Sequence, residues 1–236
     1  ILINLNNQKT ILVHMKMTGH LLYGKYKFLK NINKWTPDEQ KSGPLHDPFN
    51  RFLHVVFSFN SGKHLAFSDS RKFGKITLLD TKTAHDTKHL NNIGPEPLEK
   101  NFTLKKLEDR LNKKPNGKIK TVLMDQSIIA GIGNIYSDEI LWRAGVNPER
   151  KVSKIKESEL KLMFKAIKET LTKGIDFGGD SMSDYRNIHG LPGKFQLHHQ
   201  AYRRTGEQCR KKNCKGTIKR KMVNGRSAHF CSVHQI

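Results

Sequence analysis

Apolar residues in this chain follow two different periods, and the change between them falls at Gly94-Pro95-Glu96-Pro97. Ahead of that point the pattern is that of strands. Ile1-Leu2-Ile3-Asn4-Leu5 reads as one strand, Asn6-Asn7-Gln8-Lys9 as a turn, and residues 10–15 as a second strand. Residues 52–59 meet His64-Leu65-Ala66-Phe67 across Asn60-Ser61-Gly62-Lys63, a hairpin signal. Residues 24–50 contain Lys and Pro with weak periodicity and read as a loop between strands. Beyond the change, Leu104, Leu107 and Leu111 recur at helical spacing. Further helices are expected over residues 119–125 and 134–143. Leu160, Met163, Phe164, Ile167 and Leu171 form one stripe on a longer helix ending at Lys173-Gly174. Gly, Ser, Asp and Asn dominate residues 178–193, which predicts a long flexible loop. The expected class is therefore α+β, an antiparallel strand domain followed by a helical one. No internal repeat is present.

The last 36 residues obey neither period. They hold ten Lys and Arg against one Glu, and all three cysteines of the chain. Cys209-x4-Cys214-x16-Cys231-x2-His234 is two close ligand pairs separated by enough chain for a hairpin, the arrangement a tetrahedral zinc site needs. Four protein ligands leave no open position, so the expected role of a single Zn2+ is structural, with metal binding supplying folding free energy to a tail poor in apolar residues. His229 competes for the fourth place. The x2 spacing from Cys231, that of a zinc-ribbon knuckle, favours His234.

Forty-three Lys and Arg against 21 Asp and Glu give a formal charge of +22, the balance of a polyanion binder. No apolar run approaches the roughly 18 residues of a membrane span, and no secretory leader opens the chain. Three clustered cysteines do not make a disulfide framework, which points to a reducing compartment. Ala130-Gly131-Ile132-Gly133-Asn134-Ile135-Tyr136 puts permissive residues at a helix entry with Asn134 as the expected N-cap, a place where free N–H groups could take a phosphate. The third Gly of a dinucleotide fingerprint is missing.

These motifs together resemble the bacterial formamidopyrimidine-DNA glycosylases. The stretch from Leu123-Met124-Asp125-Gln126 through Gly131-Ile132-Gly133-Asn134-Ile135-Tyr136 to Glu139-Ile140-Leu141 resembles that family's helix-two-turn-helix. So do His14-Met15-Lys16-Met17-Thr18-Gly19, Asp69-Ser70-Arg71-Lys72-Phe73-Gly74, Gly94-Pro95-Glu96-Pro97-Leu98, and the run from Ser183-Asp184-Tyr185-Arg186-Asn187 to Gly190-Leu191-Pro192-Gly193-Lys194-Phe195. Gly225-Arg226-Ser227-Ala228-His229-Phe230-Cys231 resembles the approach to its zinc finger. The resemblance implies a β-sandwich over residues 1–95, truncated at its start, a helix-two-turn-helix domain over 96–200 with a lesion loop at 178–195, and a zinc finger over 201–236. It implies repair of oxidised purines in damaged double-stranded DNA by base flipping and Schiff-base chemistry, in the bacterial cytoplasm at the nucleoid, by a monomer with no membrane association.

Carried onto this sequence, the resemblance makes Met17, Arg71 and Phe73 the wedge that fills the space of the flipped base. Composition alone would put Met17 and Phe73 in a core. It makes His14, His54, Lys114, Asn134 and Arg226 contacts to the phosphate backbone, and Ser183, Tyr185, Arg186 and Asn187 parts of the lesion loop. Arg226 also matches the residue assigned proton donation in the second strand cleavage, although a guanidinium is a poor proton donor and phosphate positioning is the role its chemistry favours. The family's nucleophile, an N-terminal proline amine, with the glutamate beside it and a lysine before the first strand, has no match, so the chain is expected to be a fragment that keeps DNA binding but not the chemistry. Cys-x4-Cys with a terminal His departs from the family's usual Cys-x2-Cys and four Cys. The wedge trio and the Tyr185-containing loop favour the purine enzyme over the endonuclease VIII type for oxidised pyrimidines. A non-catalytic zinc-containing nucleic-acid binder is the alternative of a different class.

Overall fold

A computed structural model describes residues 1–87, 90–182 and 184–236. The chain divides into two compact units, Ile1–Thr87 with Asp176–Leu197, and Lys88–Ile175 with His198–Ile236. Residues 176–197, which follow the helices in sequence, thus cluster with the strands, and the C-terminal hairpin clusters with the helices.

The first unit carries strands β1 (Leu2–Asn4), β2 (Lys9–His14), β3 (His20–Gly24), β4 (Tyr26–Leu29), β5 (Lys34–Pro37), β6 (Leu53–Ser58), β7 (His64–Ser68) and β8 (Lys75–Asp80). They form antiparallel sheets in the orders β1-β2-β8 and β3-β7-β6, plus the hairpin β4-β5. Val13 of β2 pairs with Ile76 of β8, and Leu22 of β3 with Ala66 of β7. Alternation along the strands decides the packing. Leu21, Leu65 and Phe67 cluster with Val13, Ile11 and Ile76 between the two three-stranded sheets. Their neighbours Leu22 and Ala66 point the other way and cluster with Tyr26, Leu45, Trp35, Leu53 and Val56. The α+β reading with an N-terminal β-sandwich holds.

That second cluster corrects the reading of residues 24–50 as a plain loop. The segment contains β4, β5 and three 3-10 turns, and it covers the outer face of β3-β7-β6. Strands of four residues, one of them ending in Pro37, are too short for a period-2 pattern to stand out.

The second unit carries α1 (Leu104–Leu111), α2 (Ile119–Leu123), α3 (Asn134–Ala144), α4 (Glu157–Asp176) and the hairpin β9 (Ile218–Val223) and β10 (Arg226–Cys231). Its core gathers Phe102, Leu107, Ile119, Leu123, Ile140 and Met163 among others. The Thr103 hydroxyl caps α1 by accepting the N–H of Lys106 at 3.2 Å. Helix α4 continues past Lys173-Gly174 to Asp176. Gly174 lies inside the helix, where a Cβ would fall 2.5 Å from the Tyr136 hydroxyl, so this glycine answers to a close approach and not to a helix end. None of the described helices is long and apolar enough to cross a membrane.

Candidate nucleic-acid interface and metal centre

In the first unit, Met17, Arg71 and Phe73 come together. The Arg71 guanidinium lies 4.7 Å from the centroid of the Phe73 ring, and its Nη1 is 3.4 Å from the Met17 sulfur. Met17 is 74% exposed and Phe73 52%, so neither is a core residue. Such exposure of a thioether and a ring side by side is costly in water unless another surface covers them.

A buried carboxylate sets this geometry. Asp69, 1% exposed, follows β7. One oxygen accepts the Thr18 hydroxyl and the N–H of Arg71, and the other accepts the N–H of Gly74 at 2.7 Å. It thereby ties the turn that carries Arg71 and Phe73 to the residue beside Met17. Burial alone would raise its pKa, but the hydrogen bonds from Thr18, Gly74, Arg71 and Phe73 outweigh it and hold the carboxyl below its ordinary value. Within the turn Lys72 adopts a left-handed conformation, φ 57°. The same Asp69 offers its carbonyl to His54 Nε2 at 2.8 Å. A carbonyl only accepts, so Nε2 carries the proton and Nδ1 is the nitrogen left over. His54 reaches this position because it is the extra residue of a β-bulge: Leu53 pairs with Ser68 and Val55 with Phe67. His14 ends β2, and its Nδ1 accepts the N–H of Lys16 at 3.2 Å.

Residues 178–195 are more braced than their composition predicts. At the neck, Lys194 N donates to the Phe177 carbonyl and Phe195 N to that of Gly179, and a Cβ on Gly193 would lie 2.2 Å from the Gly179 oxygen. The Ser181 hydroxyl donates to the Tyr185 carbonyl at 2.7 Å and accepts the N–H of Gly193 at 2.7 Å. The Asn187 side chain accepts the N–H groups of His189 and Leu191, closing a tight turn of its own. Tyr185 is partly exposed, whereas Arg186 is buried. Ser183 lies outside the described residues.

In the second unit, one ligand atom from each of Cys209, Cys214, Cys231 and His234 lies within 4.8 Å of the others. This set can hold a metal ion, and its surroundings fit one. Each sulfur accepts a backbone N–H two residues on, from Lys211, Gly216 and Val233, each at 3.4 Å. His234 Nε2 donates to the Trp142 carbonyl at 2.9 Å, which leaves the Nδ1 lone pair facing Cys209 and Cys214 at 3.4 and 3.9 Å. Burial pulls the His234 pKa down, favouring the neutral imidazole that can ligate. The Gly216 N–H pulls the Cys214 thiol down as well.

His229 faces elsewhere. Its Nδ1 meets Asp138 Oδ2 at 3.0 Å, and its backbone N–H donates to the same oxygen at 2.9 Å. Asp138 Oδ1 takes the Lys120 ammonium at 2.5 Å, and neither side chain is exposed. Burial lowers the Lys120 pKa, with the Asp138 charge opposing. The next residue, Glu139, is also buried and accepts the N–H groups of Gln200, Ala201 and Tyr202 at 2.8 to 2.9 Å. Consecutive buried polar residues on α3 therefore bind α2, β10 and the approach to the tail. Sequence reasoning missed them because Ser-Asp-Glu in a helix reads as a solvated face.

Asn134 is the first residue of α3; the N-cap is Gly133, with extended backbone and no side-chain cap. The cap assignment from sequence was one residue late: Gly133 is the extended flanking residue and Asn134 already has helical backbone. The Asn134 Oδ1 is buried with no hydrogen-bond partner among the described residues. Lys114 pairs with Asp125, and Arg226 opens β10 beside a surface pocket lined also by Thr121, Met124, Asp125 and Asn224. Asn224 and Gly225, both at positive φ, form the two-residue turn that delivers Arg226. That Asn-Gly pair was a readable signal for the hairpin.

A strand unit with an exposed Met-Arg-Phe cluster, and a basic helical unit ending in a Cys3His hairpin, define a DNA-binding protein of the helix-two-turn-helix class. Residues 1–76 match the family model for the formamidopyrimidine-DNA glycosylase N-terminal domain, and residues 93–186 that for the formamidopyrimidine-DNA glycosylase H2TH domain. The chain is 39% identical over all 236 residues to the formamidopyrimidine-DNA glycosylase of Herpetosiphon aurantiacus, of which it covers 77%. The chain belongs to the formamidopyrimidine-DNA glycosylase family. It is 40% identical to the Bacillus subtilis enzyme over 79% of this chain and 66% of that one. The Lactococcus lactis Fpg solved with DNA containing an abasic site is similar with a TM-score of 0.77 and 32% identity, over 96% of this chain and 75% of that one.

Proposed function

We propose that this chain carries the duplex-binding and base-extruding residues of a base-excision repair DNA glycosylase and abasic-site lyase directed at oxidised purines, 8-oxoguanine and ring-opened formamidopyrimidines, and that lesion binding is the activity of the residues given. The observation that carries the reading is the convergence of Met17, Arg71 and Phe73 on one exposed spot. A base-modifying enzyme must take its target out of the stack. The ring and thioether replace the lost stacking, and the guanidinium hydrogen-bonds the partner base left behind. His14, His54, Lys114, Asn134 and Arg226 contact phosphates. For His54 that contact requires protonation at Nδ1, since its Nε2 proton is committed to Asp69. Arg226 positions phosphate and does not supply a proton. Tyr185 and Asn187 shape the loop over the extruded base.

Cys209, Cys214, Cys231 and His234 hold one zinc ion in a structural role, and the ion supplies the cross-link that a tail poor in apolar residues needs to fold. The protein works as a monomer on the nucleoid in the bacterial cytoplasm. The test is a matched pair of duplexes, one with 8-oxoguanine and one with guanine, compared by fluorescence anisotropy. A preference for the lesion of about tenfold, worth about 1.4 kcal/mol, is expected. Equal affinity would overturn the reading.

A further inference from the structure

Resting on the repair reading, we infer that Arg186 and Asp47 form a positioning pair that fixes the lesion loop, so that Arg186 sets the loop's shape and does not itself read the base. Arg186 sits in the middle of the loop, yet its side chain is only 8% exposed. Its Nε donates to Asp47 Oδ2 at 3.0 Å, its Nη1 to the Tyr185 carbonyl at 2.9 Å, and its guanidinium lies 4.5 Å from the centroid of the Phe49 ring. Two N–H donors aimed at different acceptors and a planar group stacked on a ring suit Arg and not Lys.

The partner is itself held in place. Asp47 Oδ1 accepts the N–H of Phe49 at 2.9 Å and so caps the 3-10 turn Pro48–Asn50. The last residue of that turn makes a second attachment to the loop, since Asn50 Nδ2 donates to the Gly190 carbonyl at 3.1 Å. Asn50 Oδ1 faces His20 Nε2 at 3.0 Å, and His20 Nδ1 faces the Thr18 carbonyl at 3.2 Å, one residue from Met17. A third attachment runs from the Tyr23 N–H to the Ile188 carbonyl at 2.7 Å. The turn at 47–50 therefore seats the far limb of the loop, residues 186–190. Tyr185 precedes that limb, and its carbonyl is held by Arg186 and Ser181 together. Releasing Arg186 frees the backbone on which Tyr185 is mounted, and reading a flipped base needs that backbone preorganised.

The experiment uses the 236-residue chain with Asp47→Asn, Arg186→Ala and the double variant. Asp47→Asn is the sharper probe, because its remaining Oδ1 still caps Phe49 while the charge facing Arg186 is gone. Each single variant is expected to lower the ratio of lesion to undamaged binding by about three- to tenfold, and the double variant no further, as for two groups acting as one unit. Affinity for undamaged DNA and its salt dependence should not move, which a general loss of structure could not leave intact. Amide exchange at Asn187, Gly190 and Leu191 should accelerate in both single variants. A wild-type ratio in Asp47→Asn, or additive losses in the double variant, would overturn the pairing. If the unmutated chain shows no lesion preference, the repair reading fails on its own account. The pairing then stands or falls by exchange alone, with unchanged protection in Asp47→Asn counting against it.

Discussion

Asp69 shows how one buried charge decides the geometry of an exposed site. Truncation to Ala leaves the Thr18 hydroxyl and the Gly74 N–H without an acceptor, and each such buried donor costs about 1–3 kcal/mol. Asp69→Ala should therefore lower stability in urea melts by about 2–4 kcal/mol and loosen the cluster of Met17, Arg71 and Phe73 as well. The pH dependence has a definite sign. The folded pKa lies below the unfolded one, so the ionised carboxylate contributes its full stability above the unfolded value of about 3.9 and loses it as pH falls through the depressed folded value. The margin of the unmutated chain over Asp69→Asn should stay constant from neutral pH to about 5 and shrink below about 4 in urea melts run across that range. Phe73 behaves in the opposite way. Half exposed, it adds little to the fold, and Phe73→Ala should leave stability within about 0.5 kcal/mol. The same change should cost lesion binding about 1–3 kcal/mol, the worth of a base stacked on a ring. A destabilised Phe73→Ala with intact lesion preference would make the ring a packing residue.

Among the elements, the C-terminal hairpin depends most on something other than its own packing. Trp142, Ala201 and Ile218 are its apolar support, and Cys209 and Cys231 belong to the same cluster. Cys231→Ser, or chelation, should unfold the hairpin, release about one equivalent of zinc, and withdraw Arg226 from the DNA surface. Metal analysis alongside circular dichroism checks it: a folded hairpin with less than half an equivalent of zinc would refute the structural role. This element was legible because the Cys and His spacing is itself the cross-link. The helices were legible because Leu104, Leu107 and Leu111, and the stripe from Leu160 to Leu171, keep one face apolar. What stayed hidden depends on partners remote in sequence. Nothing near Gly174 announces the Tyr136 ring, nothing in Ser137-Asp138-Glu139 announces Lys120 and His229, and nothing around Arg186, placed in the lesion loop by resemblance, announces Asp47 and Phe49. The wedge trio was named by resemblance, while Asp69 was only a letter within its motif. Its role follows from the bond to Thr18, 51 residues away.

For the molecule as a whole, the +22 charge is distributed by what the acidic groups already do. Asp80, Asp38, Asp125, Asp138, Glu149 and Glu159 are each engaged by a lysine or arginine within the fold. The excess of basic side chains is left to face solvent, as Lys219 and Arg220 of β9 do. A duplex that meets such a surface releases condensed counterions, so log K should fall linearly with log salt, with a slope of about −0.9 for every phosphate neutralised. Five to eight contacts would give a slope of about −4 to −7. Anisotropy titrations between 50 and 200 mM salt measure it, and a flat response would exclude phosphate contact as the source of affinity. The same titration separates two kinds of residue. Arg226→Ala should weaken lesion and undamaged duplexes alike and reduce the slope by about one, because a phosphate contact carries no information about the base. Phe73→Ala should leave the slope untouched and lower only the ratio between duplexes. If Arg226→Ala changed the ratio and kept the slope, Arg226 would belong with the groups that sense the lesion and not with those that hold the backbone.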